Sequence, residues 1–107
     1  MLVVDDDPLI RSTLGRVLAR HCQVETVEPA DAARRIDQGE FDVLLTDLDM
    51  GPVQGTELAA ATTARWPEAR VVIMTGSISS GDLGWLTIRK PLVLQQLLSV
   101  LGLRRSD

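Results

Sequence analysis

Cysteine is almost absent from this chain of 107 residues: Cys22 stands alone, so no internal disulfide can form. Between Leu18 and Val24 it reads as a small buried hydrophobe, not a reactive thiol. Histidine is as scarce. His21 alone excludes a multi-histidine metal site and suits a helix end. Basic residues are outnumbered, 11 Lys and Arg against 15 Asp and Glu, for a net charge of −4. That balance gives no basic stripe of the kind nucleic-acid recognition requires, so direct nucleic-acid binding is not expected. No apolar run approaches the roughly 20 residues that cross a bilayer, and no signal-peptide pattern opens the chain. There is no internal repeat, linker or low-complexity tract. Hydrophobic residues make up 45%, enough for a genuine core, and charged residues an ordinary 24%. One cytoplasmic domain over residues 1–107, with no membrane partner, is the expectation.

What is present is organised around residues 42–55. Val43, Leu44 and Leu45 form a short apolar run that stops at Asp47, and turn chemistry follows at Gly51, Pro52 and Gly55. A run of this length between turn signals suits a strand buried on both faces of a parallel sheet. Ligands in such sheets bind beyond the carboxyl ends of the strands, where Asp47 would sit. Taken alone, Asp47 could equally be a turn residue.

The rest of the chain repeats the pattern. Leu2–Val4 is an apolar run that stops at Asp5, Asp6 and Asp7. Pro8 then opens a helix that Asp7 can cap, and Ile10, Leu14, Val17 and Leu18 carry it at helical spacing over residues 8–21. A short strand covers residues 23–27. Pro29 opens a second helix that Gly39 ends. Thr56 can cap a third helix bearing Leu58, Ala59, Thr62 and Trp66, stopped by Pro67. Arg70–Met74 forms a fourth strand ending at Thr75-Gly76, and Trp85–Ile88 a fifth ending at Arg89-Lys90-Pro91. Leu94, Leu97, Leu98 and Leu101 make a last helix with Gly102 as its C-cap. Strands alternating with helices imply right-handed βαβ units and a parallel sheet covered on both faces.

Four strand ends therefore carry polar groups: the aspartates at 5–7, Asp47, Thr75 and Lys90. Adjacent strands lie about 4.8 Å apart, so these groups can share one small site. Crowded carboxylates repel unless a cation neutralises them or one takes a proton. Three oxygen ligands with room for water suit Mg2+. A hydroxyl and an ammonium complement a phosphoryl group, and a carboxylate at position 47 can act as its nucleophile. Metal site, nucleophile and phosphoryl stabilisers together are the equipment of phosphoryl transfer.

With these residues the chain resembles the receiver domains of bacterial two-component response regulators. The resemblance covers essentially its whole length and rests on Val3-Val4-Asp5-Asp6-Asp7-Pro8, Asp47, Thr75 and Lys90-Pro91. It implies an α/β, flavodoxin-like, doubly wound fold with five parallel strands in order 2-1-3-4-5. It further implies that Asp47 accepts a phosphoryl group from a partner histidine kinase or phosphotransfer protein, for delivery of a signal to a downstream effector. Mg2+ would be held by Asp6 directly, Asp5 through water, Asp47, and the backbone carbonyl of Asp49. Thr75 and Lys90 would bind the transferred group, and the Lys90-Pro91 peptide bond would be cis.

Three departures bear on output. Only 14 residues lie between Thr75 and Lys90, so the family's fourth helix, between its fourth and fifth strands, should be reduced to a loop or one turn. Gly and Ser fill much of residues 76–84, so an order–disorder switch is expected there. Thr87 stands where the family usually places an aromatic switch, leaving Trp85 as the nearest aromatic, with a core or lid position its simplest role. Gly51 precedes Pro52 where the family usually has proline, which implies a looser loop.

Two other functions fit part of the pattern. Leu45-Thr46-Asp47-Leu48-Asp49 resembles the nucleophile motif of Mg2+-dependent haloacid-dehalogenase-type phosphatases, in which Asp49 would be the general acid. Against it, the motif lies mid-chain, no room remains for a substrate cap, and the Asp5-Asp6 pair precedes the nucleophile. A phosphorylation-independent interaction module that has kept the fold would suit Thr87 and the short connection, but not the intact polar set.

Overall fold

A computed structural model of the chain describes residues 1–76 and 84–102. Five parallel strands form its sheet: β1 (Leu2–Val4), β2 (Glu25–Val27), β3 (Val43–Asp47), β6 (Arg70–Thr75) and β7 (Leu86–Arg89). They lie in the order β2-β1-β3-β6-β7, every neighbouring pair parallel. This is the 2-1-3-4-5 arrangement expected of a flavodoxin-like sheet. Chain progression reverses between β1 and β3, so their carboxyl ends flank the crevice where such folds bind ligands.

The two faces divide by strand phase. Val3, Leu45, Val72, Met74 and Ile88 pack against Leu14 and Leu18 of α1 (Pro8–Leu18) and Leu97, Leu98 and Leu101 of α4 (Leu94–Leu101). Leu2, Val4, Leu44, Val71 and Ile73 pack against Ala32 and Ile36 of α2 (Pro29–Gln38) and Leu58 and Ala59 of α3 (Gly55–Arg65). Successive strand residues point to opposite faces, which is why these strands read as unbroken apolar runs and not as alternations. Burying each large aliphatic side chain contributes about 1.5–3 kcal/mol.

Helix ends explain where the observed bounds differ from expectation. Asp7 caps α1 as anticipated, accepting the Leu9 N–H at 2.9 Å, with Pro8 in the first turn. The helix ends at Leu18, short of residue 21, where the Leu18 carbonyl accepts from both His21 N–H (2.9 Å) and Cys22 N–H (3.1 Å) in a turn. Cys22 is only half-buried, its thiol 3.7 Å from the Leu18 carbonyl, and burial pushes its pKa up. Thr56 does not cap α3. That helix starts at Gly55, with Gln54 at its cap and no side-chain capping bond. It ends at Arg65, one residue before Trp66 and two before Pro67.

The segment between β3 and α3, where Gly51 implied a looser loop, contains a short ribbon. Asp49–Met50 (β4) and Val53–Gln54 (β5) pair as a short antiparallel ribbon. Its two-residue turn is Gly51-Pro52, and Gly51 takes the positive φ of 75° that the first position of a type II′ turn needs. Four helices lie among the described residues. The loop or single turn expected near residues 76–84 falls largely on residues 77–83, outside those described. No helix among the described residues is long and apolar enough to cross a membrane.

At the opposite end of the sheet from the aspartates, α2 and α3 are joined through one indole. Trp66 Nε1 donates to the Ile36 carbonyl at 2.8 Å, and its ring lies over Gly39, whose φ is 74°. A Cβ at position 39 would come within 2.6 Å of that ring. Gly39→Ala should therefore lose about 3 kcal/mol of unfolding free energy, combining strain at a backbone conformation (φ 74°, ψ −151°) open essentially to glycine alone with overpacking. Urea titration checks this; an unchanged midpoint would mean that neither constraint matters.

Candidate functional site

Register fixes the two central carboxyl groups. Val4 pairs with Thr46 across β1 and β3, so the next residues, Asp5 and Asp47, leave the sheet side by side. Asp5 is fully buried, Asp47 is 8% exposed, and Asp6 is exposed. Carboxylate oxygens of Asp5, Asp6 and Asp47 all lie within 4.8 Å of one another. Lys90, just past β7, reaches across to both buried acids, its Nζ 3.2 Å from Asp47 Oδ1 and 3.6 Å from Asp5 Oδ2. Thr75 closes β6 and is buried, and its carbonyl accepts the Lys90 N–H at 2.8 Å. The Lys90-Pro91 peptide bond is cis.

The site thus gathers Asp5, Asp6, Asp47 and Lys90 through side-chain contacts, with Thr75 tied to Lys90 through the backbone. The Asp49 carboxylate is not in the cluster; that residue is exposed and opens β4, paired with Gln54. Thr87 is exposed and its hydroxyl donates to the Trp85 carbonyl at 3.1 Å. Trp85 is half-buried at the edge of the α2–α3 core and donates to Thr63 Oγ1 at 3.0 Å.

Local bonds set how each acid is aimed. Asp5 Oδ1 accepts the Asp7 N–H at 2.9 Å, and Arg11 Nη1 donates to the Asp5 carbonyl at 2.7 Å. Asp5 Oδ2 is buried with no hydrogen-bond partner. Asp47 Oδ1 accepts the Leu48 N–H at 2.9 Å. The start of α3 presses on the Asp47 main chain: a Cβ at Gly55 would fall 2.1 Å from the Asp47 carbonyl oxygen, so only glycine permits this approach. Sequence reasoning missed Arg11 and the Leu48 amide. Arg11 had a legible signal, since it shares a helical stripe with buried Leu14 and Leu18 at spacings of three and seven.

The electrostatics are frustrated. Burial raises the Asp5 carboxyl above its ordinary pKa, and the Asp47 charge pushes the same way against the Asp7 N–H and Lys90. Burial also raises Asp47, overcoming Lys90 and the Leu48 N–H. Burial alone would lower Lys90, but Asp47 and Asp5 outweigh it and hold its pKa up. A single ammonium does not balance three acids. Asp5 Oδ2, buried without a hydrogen bond among converging carboxylates, fits a hard divalent cation with oxygen ligands.

The model of the response regulator receiver domain matches residues 1–84, and the chain belongs to that family. It is 35% identical over 78 residues to the photosynthetic apparatus regulatory protein RegA of Rhodobacter capsulatus, covering 71% of this chain and 42% of RegA. The chain spans less than half the length of curated relatives it matches. A Burkholderia pseudomallei response regulator, solved with a phosphorylated aspartic acid, calcium and citrate, superposes with a TM-score of 0.82 at 27% identity, over 94% of this chain and 64% of that one. TrrA of Thermotoga maritima, solved with Mg2+ and BeF, gives 0.83 at 23% identity over 94% of each, a likeness of fold. The chain is a phosphoacceptor receiver of two-component signalling.

The raised carboxyl pKa values carry a stability consequence. Folded Asp5 holds its proton more tightly than unfolded Asp5, so in chelator the wild type loses stability as pH rises from about 4 through the folded value. Asp5→Asn has no such proton to lose. Its stability relative to wild type should increase as pH rises toward 7 in EDTA, and a millimolar divalent cation should shrink that advantage. Thermal melts at several pH values read this, and a pH-independent difference would contradict the assignment.

Proposed function

We propose that Asp47 is the residue that takes the phosphoryl group, from a phosphohistidine of a partner kinase or phosphotransfer protein. The observation that carries this is the placement of one buried carboxylate at the sheet's switch point, between Lys90 at 3.2 Å and the acidic pair of Asp5 and Asp6. Leu48 N–H and Lys90 engage Asp47 Oδ1, so Oδ2 is the oxygen assigned to attack. An O–P bond forms there as the P–N bond to the donor imidazole breaks, and the imidazole leaves with the electron pair.

Lys90 and Thr75 serve the product. The Lys90 ammonium pairs with the charged phosphoryl oxygens, and the Thr75 hydroxyl donates to another. Asp5, Asp6 and Asp47, with the Asp49 backbone carbonyl, would hold Mg2+. When bound, Mg2+ supplies neutralisation of charge on the transferred group. The mode is self-phosphorylation of a signalling domain, and the phosphorylated face would then be read by an effector. Exchange with a phosphohistidine donor of this kind would be a cytoplasmic reaction. The β6–β7 connection, residues 76–85, is shorter than an average helix of about 11 residues even before any turns. That length supports a receiver subtype with a reduced fourth helix, whose signal would be carried by ordering within the connection.

Intact-mass analysis after incubation with acetyl phosphate and Mg2+ tests the assignment. One phosphate-sized adduct is expected on the wild type and none on Asp47→Asn, while Lys90→Met should still fold and should label at least tenfold more slowly. Steady release of phosphate from small monoesters, with no adduct, would instead favour a haloacid-dehalogenase-type phosphatase. A protein that folds normally but neither labels nor turns over would favour a phosphorylation-independent module.

A further inference from the structure

Arg11 lies one turn into α1, on the stripe that faces the sheet, and is only partly exposed. Its guanidinium donates from Nη1 to the Asp5 main-chain carbonyl at 2.7 Å. That carbonyl belongs to a fully buried residue one position past the end of β1. Arg11 supplies that carbonyl with a donor, and a carbonyl left without one inside a protein is costly. Asp7 N–H holds Asp5 Oδ1 at 2.9 Å from the other side. The main chain and one carboxyl oxygen of Asp5 are thus both tethered to the start of α1, and the remaining oxygen, Oδ2, is buried without a hydrogen bond, met by the Lys90 ammonium at 3.6 Å.

We infer that Arg11 is a positioning residue for the cation site: by clamping the Asp5 carbonyl to α1 it fixes the direction in which Asp5 Oδ2 is presented. This rests on the reading above that Asp5 contributes to a divalent-cation site. Arg11 does not touch the cation or the phosphoryl group. It acts through Asp5, as outer partners of metal ligands commonly do, at a cost of 10–100-fold in affinity when removed.

The inference makes a prediction of sign. A guanidinium seated on the Asp5 carbonyl lies within the screening length of about 10 Å at 0.1 M salt, so by charge alone it repels a cation. If Arg11 acted only through its charge, removing it would tighten cation binding. If it acted only as packing, removal would lower the melting temperature and leave cation affinity where it was. If it aims Asp5 Oδ2, removal weakens binding despite the gain in net negative charge.

Mg2+ titrations of the full chain, followed by amide chemical shifts at fixed ionic strength, separate these. Arg11→Met is expected to bind Mg2+ about tenfold more weakly than wild type, and Arg11→Lys, which keeps a donor and the charge, to recover most of that loss. Arg11→Gln replaces Arg11→Met if the latter does not fold, with the same expected direction. Affinity equal to or tighter than wild type in the folded neutral variant overturns the inference while leaving the cation site intact. Absence of Mg2+ binding by the wild type itself overturns both the site and the inference. Asp5→Asn, expected to lose at least as much affinity as Arg11→Met, marks the loss that full misplacement of Oδ2 would cause.

Discussion

Two carboxylates that would rather not be buried together are held at the carboxyl end of the sheet by a single ammonium, and the rest of the site follows from that arrangement. Asp5 and Asp47 emerge side by side because β1 and β3 are neighbours in register, and both are buried. Lys90 reaches both, at 3.6 and 3.2 Å. One positive charge relieves the crowding without cancelling it, so burial still raises both acids. A buried, incompletely neutralised cluster is costly to stability and useful for binding. It gives a cation and a phosphoryl group something to gain on arrival.

The scaffold supplies rigidity where this cluster needs it. Two apolar layers, one under α1 and α4 and the other under α2 and α3, clamp the sheet from both faces. Each acid is then fastened by short-range bonds at its own strand end. Asp5 is held by the Asp7 amide and by Arg11, Asp47 by the Leu48 amide and by the close approach of Gly55. Leu48 N–H also donates to the Met74 carbonyl at 2.9 Å, which carries the β3–β6 pairing one residue beyond Asp47. Backbone precision at these points is what keeps three acids within one ion's reach.

Much of this was legible in the residues. Strands buried on both faces leave compact apolar runs, and here each run stops at a polar residue, so Asp5–Asp7, Asp47, Thr75 and Lys90 stood out in order. Helix starts at Pro8 and Pro29 and stops at Gly39 and Gly102 were equally plain. The end of α1 was not, because no glycine or proline marks residues 19–21. The β4–β5 ribbon escaped notice because two-residue strands have no periodicity, and only its Gly51-Pro52 turn was visible. Spacing also could not tell that Asp5 is buried while Asp6 is exposed. Nor could it reveal that Arg11 serves a backbone carbonyl, since that bond depends on how α1 leans on the end of β1.

The most direct test of the central claim is the titration of the Asp5 and Asp47 carboxyl carbons by NMR, in EDTA and again with saturating Mg2+. The account predicts that both titrate above the usual carboxylate range in EDTA, and that Mg2+ moves both down. Ordinary values in EDTA that Mg2+ leaves unchanged would show that these acids are neither strained by burial nor joined in one cation site.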